Sequence, residues 1–293
     1  MGVNKMNLPT LKWHFFNKSQ LTITDATFNT IIVANYECID NFVLDDKSFD
    51  MLKKLGGPIV VKNNTITFNK YKCQNQNVVK PELNLDNIIY SNIYNTSDLK
   101  ESIRFVGGNT NLSLQGVLFN DNGDIFATDS FKFYYKRNKN TFSRFWSVPT
   151  QFIKLLPDGE IKLSFTDTMV MYECDEYKLY SRLYNSKVPS IEKICDVFKA
   201  NYEITFDIRP ELTYLPCQFV NIKAENDLIT FLFDDNEKQF EVEYKNDLKA
   251  NFNAKITYEH FMTILSVSQD QLKIEFGNNL LRVNDKVILC CVR

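Results

Sequence analysis

One order of elements recurs three times along the chain, and it constrains the fold more than any single motif does. In each pass, strand-like runs precede a short amphipathic helix, and about three further strand-like runs follow that helix. A recurrence of roughly a hundred residues, built from sheet and short helices, indicates tandem homologous domains rather than a solenoid. The predicted class is therefore α+β, with strand in the majority.

The helices of this pattern carry start and stop signals. The helix predicted at Asp46–Leu55 has one apolar face and is followed by Gly56-Gly57-Pro58, which cannot continue a helix. The other helices are predicted at Asp98–Val106, Pro149–Leu155 and Thr257–Ser266. The strands of the three passes are predicted at Thr10–Phe16, Leu21–Thr24, Thr30–Tyr36, Ile59–Lys62, Thr65–Asn69, Tyr71–Gln74, Ile88–Ile93, Leu112–Phe119, Asp124–Tyr135, Glu160–Thr166, Thr168–Cys174, Tyr177–Tyr184, Tyr202–Ile208, Gln218–Ala224, Leu228–Phe233, Gln239–Tyr244, Gln271–Phe276, Leu280–Asn284 and Lys286–Val292.

The segment Leu112–Tyr135 reads LSLQGVLFNDNGDIFATDSFKFYY and contains two strand-like runs joined by a turn. The joining residues, Asn120–Gly123, suit a backbone with positive φ, so the segment predicts a β-hairpin. The polar triplet Thr128-Asp129-Ser130 interrupts the second run. Asp129 could be a catalytic acid, or it could hydrogen-bond backbone groups where a strand ends. The second interpretation is favoured, because Asp beside Ser and Thr commonly does this.

Length and composition fit a globular protein of several domains. The 293 residues suit two or three domains, and the apolar fraction of 44% is ordinary. No apolar run is long enough to cross a bilayer and no signal-peptide pattern opens the sequence, so a cytoplasmic protein is expected. The net charge is −2, from 34 basic and 36 acidic residues. A DNA partner would therefore require basic residues segregated on one face.

Residues that could carry chemistry do not form recognisable motifs. The seven cysteines contain no CxxC pair, so buried free thiols are expected rather than disulfides or a metal site. Two histidines are too few for a histidine-based metal centre. There is no nucleophile elbow, no phosphate-binding glycine loop and no paired carboxylate motif. The sequence therefore predicts a protein that is not an enzyme and that needs neither a metal nor another cofactor.

The residue order G-V-L-F, a turn and then F-A-T-D-x-x-K-F resembles the second domain of the bacterial DNA sliding clamp, the β subunit of DNA polymerase III. Four further stretches resemble that family in the same order. They are Ser147-Val148-Pro149 before a helix, Tyr180–Leu183 continuing to Val188-Pro189, Phe252-Asn253-Ala254 followed by Tyr258, and the terminal strand Val287–Arg293. Each stretch is weak alone, but their shared order and spacing make the resemblance specific.

The resemblance implies a fold and a domain division. In that family each domain contains two βαβββ units, with sheets on the outside and short helices lining a central channel. The corresponding tandem DNA-clamp domains here are residues 1–82, 83–194 and 195–293. The first is expected to be truncated, because the usual opening strand and first inner helix are missing. In the third, Arg209–Leu215 is too short and too close to proline to be the inner helix. A shortened, divergent clamp would suit a virus or plasmid with its own polymerase.

The resemblance also implies a DNA polymerase processivity factor, which encircles duplex DNA as a homo-oligomeric ring. The polymerase and the clamp loader would dock a short hydrophobic peptide motif in a surface pocket. Carried over, the walls of that pocket are Leu114, Thr128, Ser130, Phe131, Lys132, Phe133, Ile288, Cys290 and Val292. The residues expected to contact DNA phosphates, without sequence preference, are Lys53, Lys54, Lys100, Arg104 and Lys154. Asp98 and Glu101 dilute this positive charge, so weak binding to linear DNA is expected.

Four alternatives stay open. Leu114 and Ile288 face a domain core as readily as a pocket, and each basic residue on its own could be a plain solvated side chain. The chain could also be a clamp-derived interaction module that does not close a ring on DNA, because the missing inner helices belong to the domains that close it. Pattern alone also fits an unrelated β-rich structural protein, for example of a virion.

Overall fold

A computed structural model describes residues 8–38, 40–83, 86–107, 112–136, 144–185, 200–207, 212, 217–234, 239–245, 251–266, 271–277, 280–284 and 287–290. The chain divides into two compact units, each made of two segments. The first unit is Met1–Ser97 with Val148–Asn185, and the second is Asp98–Ser147 with Ser186–Arg293. The three domains of the sequence analysis, with boundaries after residues 82 and 194, remain a prediction.

Within the described residues, short strands greatly outnumber helices. The strands are β1 (Trp13–Asn17), β2 (Gln20–Thr24), β3 (Thr30–Asn35), β4 (Phe42–Asp45), β5 (Ile59–Lys62), β6 (Thr65–Phe68), β7 (Tyr71–Gln74), β8 (Tyr90–Asn95), β9 (Gly116–Asn120), β10 (Ile125–Thr128), β11 (Lys132–Lys136), β12 (Phe145–Pro149), β13 (Glu160–Phe165), β14 (Met169–Glu173), β15 (Tyr177–Arg182), β16 (Tyr202–Asp207), β17 (Phe219–Glu225), β18 (Leu228–Asp234), β19 (Gln239–Lys245), β20 (Phe252–Thr257), β21 (Gln271–Gly277), β22 (Leu280–Val283) and β23 (Val287–Cys290). The helices are α1 (Asp46–Leu55), α2 (Thr96–Ser102), α3 (Thr150–Lys154) and α4 (Tyr258–Ser266). In this part of the chain, no helix has the length and apolar character needed to cross a membrane.

The first unit is built on an eight-stranded antiparallel sheet in the order β4-β1-β2-β3-β15-β14-β13-β8. It also contains a separate three-stranded sheet in the order β5-β6-β7. Helix α1 buries Phe49 and Leu52 and contacts β1 and β4. The carboxylate of Asp45 accepts a hydrogen bond from the Ser48 amide at 2.8 Å and begins the helix, and Gly56 ends it with φ 60°. The amphipathic helix thus covers the sheet core of its own unit.

The second unit repeats the same design. Its eight-stranded sheet runs β12-β9-β10-β11-β23-β22-β21-β16, and a four-stranded sheet runs β19-β18-β17-β20. Helix α4 contacts β17 and β20. Its buried Phe261 ring lies 5.8 Å and 5.6 Å from the rings of Phe231 and Phe233, measured between centroids. This aromatic contact anchors the helix on its sheet.

The strand orders show an internal repeat. The sets β4-β1-β2-β3, β12-β9-β10-β11 and β20-β17-β18-β19 have the same order, and β4, β12 and β20 each lead directly into a helix. The sets β5-β6-β7, β13-β14-β15 and β21-β22-β23 are antiparallel meanders that follow those helices. The tandem repeat and the α+β class predicted from the sequence are therefore confirmed.

Several predicted elements need correction. The strands β4, β12 and β20 were not predicted, because each passes directly into its helix and no loop separates the two elements. The run predicted from residue 112 begins with a 3₁₀ turn at Leu112–Gln115 and becomes a strand only at β9. The run predicted as Asp124–Tyr135 is two strands, β10 and β11. The predicted helix Asp98–Val106 is α2 followed by a 3₁₀ turn, Ile103–Phe105.

Candidate partner-binding and DNA-contact surfaces

The turn between β10 and β11 is organised by Asp129. One of its carboxylate oxygens accepts hydrogen bonds from the amides of Phe131 at 2.9 Å and Lys132 at 2.8 Å. The Thr128 hydroxyl donates to the Lys132 carbonyl at 2.8 Å and accepts from the Ser130 amide at 3.0 Å. Ser130 has φ 83°, a conformation that side chains rarely adopt. The favoured structural interpretation of Asp129 is therefore confirmed.

Strand β11 presents its alternate side chains to the two faces of the sheet. The Lys132 ammonium lies 5.9 Å from the centre of the Phe105 ring, and the Tyr134 ring lies 5.3 Å from the same ring. The rings of Phe133 and Tyr135 stack 5.8 Å apart on the other face, where Phe133 also lies 6.0 Å from Phe126. Lys132 and Phe133, two predicted pocket residues, thus point to opposite sides of the sheet.

One cross-strand row brings several predicted pocket positions together. Phe133 is the register partner of Thr128 on β10 and of Ile288 on β23. The row continues from Ile288 to Arg282 on β22 and then to Glu275 on β21. Because register partners lie side by side on a sheet, these positions form one line across four strand boundaries.

Arg282 and Glu275 were not predicted from the sequence. The Arg282 guanidinium donates two hydrogen bonds to the Glu275 carboxylate, in the bidentate geometry that suits this pair. These bonds, together with Tyr135, raise the pKa of Arg282. Glu275 is buried and Arg282 is only partly exposed. A fixed ion pair therefore lies in the same row as Phe133. Its place in that row depends on the pairing of β11 with β23, two strands far apart in sequence, which leaves no local sequence signal.

The remaining predicted pocket residues lie around this row in different settings. Phe131 is at the tip of the β10–β11 turn, and 64% of its surface is exposed. Ser130, beside it, is also exposed, whereas Leu114 is buried in the 3₁₀ turn before β9. Cys290 is the last residue of β23. Val292 falls outside the described residues.

Lys132 lies in a small charged cluster on the face that carries Phe105. Its ammonium is 3.6 Å from the Asp129 carboxylate and 3.7 Å from that of Glu259 on α4. Burial lowers the pKa of the neighbouring His260, and the Lys132 charge adds to this effect, while Asp129 and Glu259 oppose it. Lys132 is itself almost fully buried. Its charge therefore ties the turn to α4 on the face away from Phe133.

The five predicted DNA-contact residues occupy three helices and one 3₁₀ turn. Lys53 and Lys54 are in the last turn of α1, Lys100 in α2 and Lys154 in α3, while Arg104 is in the 3₁₀ turn after α2. Lys54, Arg104 and Lys154 are exposed. Lys53 approaches the Leu8 carbonyl and the Thr10 hydroxyl at 3.5 Å each and lies over the Phe49 ring. Arg104 donates to the Ser266 carbonyl at 3.1 Å, at the end of α4.

The acidic neighbours of these residues in α2 are turned toward the sheet. Asp98 is buried and paired with Lys136, and the Glu101 carboxylate accepts a hydrogen bond from the Tyr134 hydroxyl at 3.0 Å. Burial, with added repulsion from Glu101 and Asp98, raises the pKa of Tyr134, so the hydroxyl stays protonated as a donor. Of the two carboxylates that were expected to dilute the positive charge, Asp98 is paired with the Lys136 ammonium, whereas Glu101 accepts a hydrogen bond from a neutral hydroxyl. The expected dilution stays a prediction.

None of the four cysteines whose side chains the structure describes forms a disulfide. All four are partly buried, whereas the sequence predicted buried thiols: Cys38, Cys73, Cys174 and Cys217. Burial raises the pKa of the Cys38 and Cys73 thiols, which keeps them in the less reactive protonated form. The other three cysteines, Cys195, Cys290 and Cys291, have no described side chain.

The repeated strand order defines the class: this is the fold of a bacterial DNA sliding clamp. The chain is similar to the DnaN sliding clamp (DNA polymerase III subunit beta) of Pseudomonas aeruginosa, in a structure with griselimycin bound, with a TM-score of 0.77 and 16% identity. That match covers 99% of this chain and 93% of the other. The DNA polymerase sliding clamp of Caulobacter crescentus matches with a TM-score of 0.76 and 14% identity, over 99% and 93% of the two chains.

The Helicobacter pylori beta clamp, in complex with 3,4-difluorobenzamide, matches with a TM-score of 0.77 and 12% identity, over 97% of this chain and 92% of that chain. These matches confirm the predicted resemblance at the level of the fold and over nearly the whole chain. No protein-family model matches the sequence, and no curated protein matches it by sequence. The chain is therefore a divergent one whose fold is shown by structure rather than by sequence.

Proposed function

We propose that the protein is a DNA polymerase processivity factor, a sliding clamp without enzymatic activity that acts in the cytoplasm. The observation that carries this proposal is the clamp fold itself, which extends over 97–99% of the chain in the structures compared. An accidental likeness of an unrelated β-rich protein would not reproduce the same strand order in both eight-stranded sheets. A clamp acts by topology and docking, so it needs no reactive group.

The docking site for the polymerase and the loader is built around the row of Thr128, Phe133 and Ile288, with Cys290 beside it. Thr128 and Phe133 are themselves buried, so Phe131 is the exposed apolar anchor of the site. Phe131 supports this site best, because a phenylalanine left mostly in solvent gains about 1.5–3 kcal/mol when a partner covers it. Asp129 fixes the turn that presents Phe131, so the anchor is preorganised for an extended apolar peptide. Ser130 forms the rim, and the buried Leu114 and Lys132 support the site from behind. Val292, outside the described residues, stays a predicted member of the site.

We infer ring formation from two sheet edges that the repeat leaves without a counterpart among the described strands. Strand β3 pairs with β15, and β11, its equivalent in the next repeat, pairs with β23, the equivalent of β15. The third equivalent, β19, is at the edge of the four-stranded sheet, and β7, the third equivalent of β15, is at the edge of the three-stranded sheet. Pairing of β19 with β7 of a second copy would join the four-stranded and three-stranded sheets into a seven-stranded arrangement like the two eight-stranded sheets, and this head-to-tail contact repeats until a ring closes.

The side chains on these two edges favour that pairing. Glu241 and Glu243 are exposed on β19, and Lys72 is exposed on β7. Opposite charges on facing strands select the partner edge and disfavour self-pairing of β19. A ring of such copies would hold DNA through the positive groups of Lys53, Lys54, Lys100, Arg104 and Lys154, which contact phosphates without reading sequence.

Peptide binding tests the docking site. A fluorescent peptide with a Q-L-x-L-F motif is titrated with the wild-type protein and with Phe131→Asp. The matched control is Leu228→Asp, which places the same charge at another exposed apolar residue of the second unit. Saturable binding that Phe131→Asp weakens at least about tenfold, with Leu228→Asp unchanged, supports the site. Equal binding by all three proteins, or none by the wild type, would contradict it.

A second candidate function is a clamp-derived interaction module that binds partners without encircling DNA. The contacts of Arg104 and Lys53 with backbone carbonyls favour it, because they divert two of the proposed phosphate ligands. Sedimentation at high protein concentration separates the two candidates. A mass of one chain supports the module, and a multiple of that mass supports the ring.

A further inference from the structure

The β2–β3 turn of the first unit repeats the turn that presents Phe131. Thr24-Asp25 occupies the end of β2 as Thr128-Asp129 occupies the end of β10. One Asp25 carboxylate oxygen accepts from the Thr27 and Asn29 amides at 3.1 Å and 3.0 Å. The same residue type thus makes the same kind of backbone contacts at the same place in both eight-stranded sheets.

The register extends this equivalence across the sheet. Ile31 pairs with Thr24 and with Tyr180, and Tyr180 pairs with Met171. This row of β2, β3, β15 and β14 corresponds, strand by strand, to the row of Thr128, Phe133, Ile288 and Arg282 in the second unit. In the first unit the row is apolar where the second unit carries the Arg282 guanidinium. The two rows therefore differ in the ligand that they suit.

A groove of about 990 Å³ lies over this row and is lined entirely by residues of the first unit. Ile31, Val33 and Tyr180 form its floor, and Leu83, from the segment before β8, packs against the same apolar cluster. This volume is at the upper end of the range for binding pockets and suits several residues of an extended peptide. The segment of Lys80–Leu83 forms one side of the groove and the β14–β15 turn forms the other.

The rim of the groove is acidic. Lys178 is paired with Glu173 at 2.6 Å, and the Lys80 ammonium donates to the Gln20 side chain at 2.9 Å. The charged lining residues are four carboxylates and two ammonium groups, a net charge of −2: Glu82, Glu173, Asp175 and Glu176 against Lys80 and Lys178. The apolar floor and the acidic rim together suit a ligand whose apolar side chains lie between basic residues.

We propose that this groove is a second docking site, and that its occupant is an extended basic and apolar peptide segment of a partner protein. The site goes beyond the proposed function, because it lies in the other unit and does not involve Phe131. The bound segment would place apolar side chains on Ile31, Val33 and Tyr180 and basic side chains near Asp175 and Glu176. A partner selected here carries basic residues beside its apolar anchors, and the site is separate from Phe131, so one chain can hold two partners at once.

The test uses a labelled peptide with a Leu-Leu-Phe centre and two lysines on each side. It is titrated with wild type and with Asp175→Lys/Glu176→Lys, two exposed residues of the β14–β15 turn. Val33→Ser weakens the apolar floor at a half-buried position. Glu225→Lys/Asp227→Lys makes the same charge change in an exposed turn of the second unit, and a peptide with serines in place of Leu-Leu-Phe tests the anchors.

The proposal expects saturable binding that Asp175→Lys/Glu176→Lys weakens at least about tenfold and Val33→Ser about three- to tenfold. Glu225→Lys/Asp227→Lys and Phe131→Asp should bind like wild type, and the serine peptide should not bind. Four results would overturn it: no binding, equal binding by every variant, loss with Phe131→Asp alone, or equal binding of the serine peptide. Phe131→Asp should weaken binding of the Q-L-x-L-F peptide but not binding of this basic peptide. A negative result at one site therefore does not decide the test of the other site.

Discussion

Gly107 lies against Asp129, so closely that a Cβ atom at Gly107 would be 2.5 Å from the Cβ of Asp129 and 3.0 Å from its Cα. A methyl group cannot be accommodated at those distances without moving the turn that presents Phe131. The close approach therefore connects the segment after α2 to the proposed docking site, and it explains why glycine is required at this position.

Gly107→Ala is accordingly expected to displace the β10–β11 turn. The free energy of unfolding should fall by about 1–3 kcal/mol, and binding of the Q-L-x-L-F peptide should weaken at least about tenfold. Chemical denaturation and peptide titration measure the two effects. Asp129→Asn, which keeps the amide-accepting oxygen, should bind much better than Asp129→Ala. Wild-type binding by Gly107→Ala would show that the turn does not position the site.

The Glu275–Arg282 pair gives a second prediction. Glu275→Ala leaves a guanidinium in the sheet without its carboxylate, and we expect it to lower the free energy of unfolding by about 3 kcal/mol. The double variant Glu275→Leu/Arg282→Leu removes both charges and should recover most of that loss. Chemical denaturation measures the free energy of unfolding of the wild type, the single variant and the double variant. A double variant as unstable as the single one would contradict this account of the pair.

His14 gives a prediction for pH. Burial lowers its pKa from 6.5 to about 3, against smaller opposing effects of the Leu44 backbone and Asp46. The unfolded chain therefore takes up a proton near pH 6.5 that the folded chain does not accept until about pH 3. Above pH 6.5 His14 does not reduce the free energy of unfolding. Below pH 6.5 its protonation in the unfolded chain lowers the free energy of unfolding by about 1.4 kcal/mol per pH unit, until the pH reaches about 3.

His14→Leu should reduce that pH dependence, because it removes the buried base while keeping a similar volume beside Phe49. The measurement is the free energy of unfolding from pH 7 to pH 4 for both proteins. The two curves should diverge below pH 6.5, with the variant falling less steeply. Parallel curves would mean that other groups govern the acid response.

The proposed contact of β19 with β7 predicts a charge swap. Glu241→Lys/Glu243→Lys should reduce the sedimentation mass toward one chain, because it opposes Lys72 on the facing edge. Adding Lys72→Glu should restore part of the assembly. Lys72→Glu alone should weaken it. A mass that none of these variants changes would place the interface elsewhere.

The sequence predicted the fold more completely than it predicted the site. Helix α1 was predicted with its observed bounds, because one face is apolar and Gly56-Gly57-Pro58 marks its end. The pocket positions were carried over by resemblance, and they stay a prediction. Sequence could not show that Arg282 joins the row of Phe133. That fact depends on the register of β11, β23 and β22, which no local pattern specifies.

Charge reversal tests the DNA contact. Lys54→Glu/Lys100→Glu/Lys154→Glu should weaken retention on DNA and reduce the slope of its salt dependence by about three, since each phosphate contact contributes about 0.9. The control Lys18→Glu/Lys162→Glu/Lys223→Glu makes the same charge change at exposed strand and turn positions. Equal losses in both variants would mean that only net charge matters.

The most direct test of the clamp account compares retention on circular and linear DNA. The protein is incubated with a nicked circular plasmid at a concentration that permits rings to open and reclose, and the complex is isolated by gel filtration at physiological salt. Half of it is then cut once with a restriction enzyme. The account predicts that the protein stays on the circle and is lost from the linear form, because a ring slides off free ends. Equal retention on both forms, or on neither, would contradict it.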